Sequence, residues 1–404
     1  MADFHQGGDI ATLHRLTERP IEALEEELRI FAASRPMGLI LPSLYSELLG
    51  PALPNIVEQL KQANYLSDII IGLDQADRSQ FEHAREFFAE LPQTTHILWN
   101  DGERLRTLDG ELQAQGLSPQ EAGKGRNVWF CMGYALGCQH LDAIGLHDCD
   151  ILTYQRDLPA RLLYPLVHPN FHFKYSKGYY ARINGDKLSG RVTRLFVTPL
   201  LRALKKMVGP LDYLQYMDSF RYPLSGEFAL NRDLADVVRI PSDWGLEVGL
   251  LSEVYRNTAR HQICQVDIAD QYDHKHQDLS ADDQKRGLAK MSTDIAKSLY
   301  RKLATEGIEM SDSFFRSLKA SYLRIALDYV EMYYFDAKLN GLEFNRHAEE
   351  EAIEVFVKSI VEAGEQFRNN PLETPFIPNW KRVSSALPDF TNRLHEAVAA
   401  DMAD

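Results

Sequence analysis

In the stretch HLDAIGLHDCDILTY, two carboxylates, Asp148 and Asp150, stand one residue apart directly behind an apolar run. In a β conformation, side chains at i and i+2 point the same way, so the pair can converge on one point. Two like charges held that close repel unless a cation sits between them. Carboxylate oxygens are also the ligands that hard divalent ions such as Mg2+ or Mn2+ prefer. The alternative is a strand end running into a solvated turn, where aspartate is common.

Four further features carry chemistry-bearing types. In GKG, Lys124 stands between Gly123 and Gly125; glycines let a backbone approach a phosphate and the lysine adds a point charge, although a solvent-exposed turn lysine has the same signature. In SGRVT, Arg191 and Thr193 follow a glycine where a helix begins, an arrangement that suits an anion and equally an ordinary helix start. Glu227 in PLSGEFALNR and Glu247 in WGLEVGLLSEVY each lie beside a glycine in mostly apolar surroundings. Such a carboxylate is either hydrogen-bonded structure or a clamp on substrate hydroxyls. In DQYDHKHQDL, His274 or His276 could complete a metal shell begun by Asp150.

The elements that must position these residues follow from periodicity. MGLILPSLYSE (37 to 47), DIIIGLD (68 to 74) and THILWN (95 to 100) are short runs rich in Ile and Leu that end in polar or turn residues, with amphipathic stretches 52 to 65 and 80 to 91 between them. Strands alternating with helices predict an α/β fold with a mostly parallel, doubly wound sheet, whose ligands gather at the carboxyl ends of the strands. AIGLHDCD fits as a further strand and places Asp148 and Asp150 at that edge. NFHFKYSKGYYARI alternates like an edge strand, GRVTRLFVTPLLRALKKMVG reads as a helix, and GEFALNR and QICQVDI are further strands. Residues 20 to 34 carry Ile21, Leu24, Leu28 and Phe31 at helical spacing, with Pro20 suited to the first turn.

From about Ser280 onward strand signals disappear. SFFRSLKASYLRIALDYVEMYYF places Phe315, Leu318, Tyr322, Ile325 and Tyr329 on one stripe, read as core or subunit contact, and EEEAIEVFVKSIVEAGEQF is a second amphipathic helix. NNPLETPFIPNWKRV is a proline-punctuated loop expected to pack back on the body. The division expected is an N-terminal helical segment over 1–35, an α/β domain over 36–280 and a helical C-terminal extension over 281–404.

The net charge of −14 argues against a general nucleic-acid binder, because phosphate backbones are held by excess Lys and Arg. A local basic cluster can still bind a small anion. No apolar run is long enough to span a bilayer and the first twenty residues lack a signal-peptide pattern, so no membrane partner and a cytoplasmic location are expected. The four cysteines, Cys131, Cys138, Cys149 and Cys264, form no CxxC pair and are expected to be reduced and mostly buried.

Taken in order, a strand ending in a Pro-containing turn, an acidic strand end, GKG, a DxD triplet, GRVT, PLSGE, a GxExGLL segment and a late His resemble the retaining glycosyltransferases that make glucosyl-3-phosphoglycerate. The likeness covers about residues 37 to 280. It implies a GT-A fold, a nucleotide-diphosphate-sugar donor and a divalent metal, Mg2+ or Mn2+. By this resemblance Pro42, Leu44, Glu47 and Asp74 lie in the uridine pocket, Lys124 faces the donor diphosphate and ribose, and Asp148 helps hold the nucleotide sugar. Asp150 and His274 are the implied metal ligands. Arg191 and Thr193, with His276 nearby, bind the phosphate or carboxylate of a small anionic acceptor, and Glu247 holds sugar hydroxyls near the reacting carbon. Two positions depart from the family pattern: the uridine-side turn reads PSLYSE rather than an Asn-Glu-Glu run, and His276 stands where an Asn is expected.

The resemblance implies transfer of glucose, with UDP-glucose as donor, to 3-phospho-D-glycerate, with retention of configuration. Its catalytic group would comprise Lys124, Asp148 and Glu247, with no protein nucleophile named. The alternatives are transfer of mannose or glucose to free glycerate or another small anion, and a nucleotide-sugar-binding protein without turnover. The long helical tail exceeds compact family members and is read as a dimerisation element.

Overall fold

The central strands form where a short apolar run can be covered on both faces. In chain order they are β1 (Ala11–Leu13), β2 (Met37–Leu44), β3 (Leu66–Asp74), β4 (Thr94–Trp99), β5 (Ala143–Leu146), β6 (Tyr175–Asn184), β7 (Lys187–Leu188), β8 (Phe228–Asn231), β9 (Ile240–Pro241), β10 (Ile263–Tyr272) and β11 (Phe376–Ile377). The helices between β1 and β6 are α1 (Ile21–Ala32), α2 (Tyr45–Leu48), α3 (Ala52–Leu60), α4 (Arg78–Phe88), α5 (Glu103–Ala114), α6 (Lys124–Gly137) and α7 (Asp157–Val167). Those that follow are α8 (Thr198–Val208), α9 (Asp212–Asp218), α10 (Arg232–Val237), α11 (Leu246–Asn257), α12 (Ala281–Thr305), α13 (Asp312–Leu339), α14 (Arg346–Asn369), α15 (Trp380–Ala386) and α16 (Phe390–Ala403). This is a computed structural model, and it describes residues 6, 8–119, 122–274, 281–371 and 376–404, with the backbone alone over 281–286.

The main sheet runs β1-β10-β6-β8-β5-β2-β3-β4, with β7 hairpinned onto β6. β2 through β5 pair in parallel, as the alternating pattern predicts. β8 is the exception, antiparallel to both β5 and β6. Because β8 reverses direction, β6 and β10 again point the same way as β5. One edge of the sheet therefore collects the carboxyl ends of β2, β3, β5, β6 and β10 together with the amino end of β8.

β3 shows why this sheet reads as continuous hydrophobic sequence. Ile69 and Ile71 join one apolar layer with Leu28, Leu53, Phe81 and Leu163, while Ile70 joins the other with Val128, Leu200 and Leu250. Both layers exclude water, so both faces of the strand must be apolar. Pro42 sits in β2 without penalty because β5 ends opposite Ile40, leaving no partner for a backbone N–H two residues on.

Three expectations need correction. The segment 1–35 is not only helical, since Ala11–Leu13 pairs in parallel with β10. The region after residue 280 is not purely helical either: Phe376–Ile377 pairs antiparallel with β9. The apolar run ending in HDCD is a strand only to Leu146, and Cys149–Asp150 form a turn before Ile151 makes an isolated antiparallel bridge to His274. The physical reason is shared: strands of two to four residues take their conformation from a distant partner, and a local pattern cannot show it. The aromatic stripe of α13 is core as expected, with Leu318 and Tyr322 fully buried and the Tyr322 hydroxyl donating to Leu195 O at 2.6 Å.

Candidate active site

Lys124, the first residue of α6, lies at the collecting edge of the sheet. Gly125 has to be glycine there, because a Cβ would be driven into the backbone of Pro241 and Ser242 in and just after β9. That close approach fixes the start of α6. The ammonium of Lys124 lies 2.7 Å from Asp148 Oδ1 and 3.5 Å from Glu247 Oε1, the latter in the first turn of α11. Burial opposes the charge, but the carboxylates of Asp148 and Glu247 outweigh it and hold the lysine well above its usual range. Asp148 responds in kind: burial disfavours its charge, and the neighbouring ammonium more than compensates, so its pKa is lowered.

Asp150 lies on the other side of the turn. Cys149 between the two aspartates is buried while both carboxylates remain partly exposed, so the alternation expected of a strand survives the turn. The Ile151–His274 bridge brings the imidazole Nδ1 to 3.5 Å from Asp150 Oδ2. Burial and the charge of Asp148 push the Asp150 carboxyl up to about 7. The Asp148 carboxylate is taken up by Lys124, so the groups left at the turn to hold a hard divalent ion such as Mg2+ or Mn2+ are the Asp150 carboxylate and the His274 imidazole, ligand types that such an ion accepts.

Asp74 ends β3 in register with Leu44 at the end of β2. Its two oxygens accept from Asn100 Nδ2 at 2.8 Å and Asn127 Nδ2 at 3.0 Å. Burial raises its pKa, against those two amides. Asn127 is on α6, one turn beyond Lys124, so a single helix end holds the groups at β3 and β5. Pro42, Leu44 and Glu47 line the same edge, with Glu47 on the short α2 that turns away from it.

Glu227 is structural. It is fully buried, and its carboxylate accepts from Tyr180 at 2.7 Å, Tyr272 at 2.8 Å and Ser225 at 3.0 Å. Burial, then the charge of Asp148, raises its pKa. The two tyrosines stack at 3.6 Å, tying β6 to β10 beside the site. Sequence reading missed Asn100, Asn127 and this tyrosine pair. The alternation in KGYYARI was the one local signal for Tyr180.

Arg191 and Thr193 form a second group. Arg191 precedes a π-helical turn, Val192–Val197, that continues as α8. Its guanidinium is 44% exposed and donates to Glu349 Oε1 at 2.7 Å, while the buried Arg194 lies 2.9 Å from Glu349 Oε2. Thr193 is buried, and its hydroxyl has no partner among the described residues. The structure thus brings Arg191 to an internal carboxylate supplied by α14, which the sequence did not suggest. The link back to Asp148 is a chain of contacts: Gly190 abuts Tyr222, Tyr222 packs on Tyr180, Tyr180 bonds Glu227, and Gly226 beside Glu227 lies against the Asp148 carboxylate. His276 lies outside the described residues.

No protein-family profile matches the chain. Two curated relatives do: glucosyl-3-phosphoglycerate synthase of Persephonella marina, 48% identical over 404 residues and 100% of both chains, and that of Methanococcoides burtonii, 42% identical over 386 residues and 94% of each. Among solved structures, glucosyl-3-phosphoglycerate synthase of Mycobacterium tuberculosis in complex with Mn2+, UDP-glucose and phosphoglyceric acid superposes with a TM-score of 0.52 at 21% identity, over 73% of this chain and 88% of that one. That likeness shows the shared fold. With a relative 48% identical along the entire length of both proteins, and the acidic, lysine-bearing edge just described, the chain is a glycosyltransferase that belongs to the glucosyl-3-phosphoglycerate synthase family.

Proposed function

We propose that the protein transfers glucose from UDP-glucose to 3-phospho-D-glycerate with retention of configuration, using Mg2+ or Mn2+. The observation that carries this reading is the approach of Asp148 and Glu247 to Lys124, at 2.7 and 3.5 Å, next to the Asp150–His274 pair, in a chain of this family. Lys124 is held charged where a nucleotide diphosphate departs, and that departure is the main electrostatic demand of the reaction. Asp148 orients the ammonium, and Glu247 offers acceptor oxygens to sugar hydroxyls. Pro42, Leu44, Glu47 and Asp74 form the nucleoside side, with Asp74 fixed by its two amides. Asp150 and His274 would hold the divalent cation, which when bound would supply further positive charge for the leaving diphosphate.

Arg191 and Thr193 are the acceptor's anion site in this reading. The half-exposed guanidinium keeps donors for a phosphate while Glu349 takes one, and the Thr193 hydroxyl lacks a partner among the described residues. The reading extends to a cytoplasmic homodimer. Supporting it, the four cysteines are unpaired and buried, no helix among the described residues is long and apolar enough to cross a membrane, and α13 leaves Leu323, Leu327, Phe335 and Leu339 exposed.

The test is an NMR-monitored incubation with UDP-glucose, 3-phosphoglycerate and Mg2+, with free glycerate in a parallel tube. An α-linked glucosyl-3-phosphoglycerate is the expected product. Product from glycerate alone would replace the acceptor, and donor binding without any product would point to a binding protein.

A further inference from the structure

Asp68, His96, Cys138 and His140 gather at the edge of the sheet opposite the catalytic one. Asp68 is near the start of β3, His96 near the start of β4, Cys138 directly follows α6, and His140 lies in the connection to β5. One ligating atom from each of Asp68, His96 and Cys138 lies within 4.8 Å of the others. The Nε2 atoms of His96 and His140 approach Asp68 Oδ1 and Oδ2 at 2.9 and 2.7 Å. An open cavity of about 610 Å3, walled also by Ser67, Thr94, Gln139 and His395, gives access to the group.

We propose that these four side chains form a second metal site, selective for a thiophilic transition ion of the Zn2+ type and separate from the catalytic Mg2+ or Mn2+ site. Two imidazoles, a thiolate and a carboxylate are the nitrogen, sulfur and oxygen donors of a tetrahedral zinc centre, whereas Mg2+ takes oxygen ligands. With bonds of about 2.0 to 2.3 Å, neighbouring ligand atoms of such a centre stand about 3.4 to 3.7 Å apart. The two Asp68 contacts must therefore open by about 0.5 to 1 Å while Cys138 and His140 close in on the others, which are side-chain adjustments.

The shell around the group is already ordered. His96 Nδ1 lies 3.0 Å from the Tyr134 hydroxyl, and Tyr134 stacks on His395 at 3.9 Å while its carbonyl lies 2.9 Å from His395 Nε2. A hydrogen-bonding partner on the second imidazole nitrogen is the usual support of a zinc-bound histidine. On binding, each imidazole stays neutral with its proton on Nδ1, the His96 proton donating to Tyr134. The Cys138 thiol proton leaves to solvent, so the ion, thiolate and carboxylate together are uncharged. Six residue steps along β3, about 20 Å, separate Asp68 from Asp74. The ion takes no part in glycosyl transfer. It clips β3, β4 and the α6–β5 connection together beneath the C-terminal helix.

The test uses the full chain and its Asp150→Ala variant, stripped with chelator and titrated with Zn2+ and with Co2+ as a spectroscopic probe. Both chains should bind roughly one Zn2+ here, and both should show a thiolate-to-cobalt charge-transfer band with the visible intensity of tetrahedral Co2+. Cys138→Ser should remove the band. His140→Ala, at a side chain 53% exposed, should weaken Zn2+ binding by at least about 10- to 100-fold while the metal-free chain stays folded. A parent chain with no thiolate-to-cobalt band, or Zn2+ affinity equal in the parent and both ligand variants, would overturn the site.

Discussion

Gly226→Ala tests the position of Asp148 without touching its chemistry. Gly226 directly precedes Glu227 at the amino end of β8, and a Cβ there would stand 2.8 Å from Cγ of Asp148 and nearer still to its Oδ2. Non-bonded carbons settle at about 3.5 to 4.0 Å, so the carboxylate must retreat by about 1 Å. Its partners resist this, since Lys124 Nζ lies 2.7 Å from Oδ1 and 3.0 Å from Oδ2. An off-rotamer aspartate costs about 0.5 to 1.5 kcal/mol, and the half-exposed ion pair adds little in stability, so folding should weaken by about 1 kcal/mol. Activity should suffer more. A 1 Å misplacement at a reacting centre is worth about 100-fold, or about 2.7 kcal/mol of transition-state stabilisation. The assay is kcat/KM for UDP-glucose at saturating 3-phosphoglycerate, alongside a thermal melt. Gly110→Ala is the control: that glycine lies inside α5 with open space around it, so the change should leave kcat/KM alone and stabilise by about 0.5 to 1 kcal/mol. A Gly226→Ala enzyme with the parent's kcat/KM and melting temperature would refute the placement of Asp148 at the reacting centre.

Asp150→Ala should abolish dependence on Mg2+ or Mn2+ together with turnover while the melting temperature in chelator holds; metal-dependent activity in the variant would remove Asp150 from the ligand set. Arg191→Ala should raise KM for 3-phosphoglycerate with little effect on stability, because its side chain is 44% exposed. Arg194→Ala should do the reverse, leaving the buried Glu349 without one of its cations at a cost of about 3 to 5 kcal/mol in denaturant unfolding. Identical effects of the two substitutions would refute the division of labour. Gly133→Ala in α6 would drive a methyl into the buried Trp380 indole, which stacks on Trp129 at 4.4 Å, and should destabilise by about 1 to 3 kcal/mol; an unchanged melting temperature would mean that α15 is loosely seated.

The strands from β2 to β5 were legible because their buried stretches are continuously apolar, and each runs into polar or turn residues at its carboxyl end. Lys124, Asp148, Asp150 and Glu247 stood out for the same reason: charges set against glycine or at the end of an apolar run. The partners of those residues were not legible. Asn100 and Asn127 acquire meaning from Asp74, and Tyr180 and Tyr272 from Glu227, through contacts between segments far apart in the chain. Glu349 looks like any surface glutamate in a helical EEE run, yet it is buried against two arginines from the other half of the molecule. Local pattern reports what a residue's own element requires, and these assignments depend on the neighbour.

The same contrast changes the meaning of the C-terminal helices. As sequence they read as an appendage, since their amphipathic stripes need only one another. In the fold, β11 forms a ladder with β9, and Pro241 of β9 presents the carbonyl against which Gly125 is packed. Trp380 of α15 donates from its indole to Trp129 O at 2.8 Å, gripping the middle of α6, while α14 carries Glu349 to Arg191. The C-terminal segments therefore brace the helix that begins with Lys124 and supply a counter-charge to the proposed acceptor arginine. Because α6 also carries Asn127 to Asp74, a displacement of this one helix would move the proposed donor diphosphate and nucleoside contacts together. The α/β core presents the catalytic edge, and the C-terminal region sets the register of the helix that completes it.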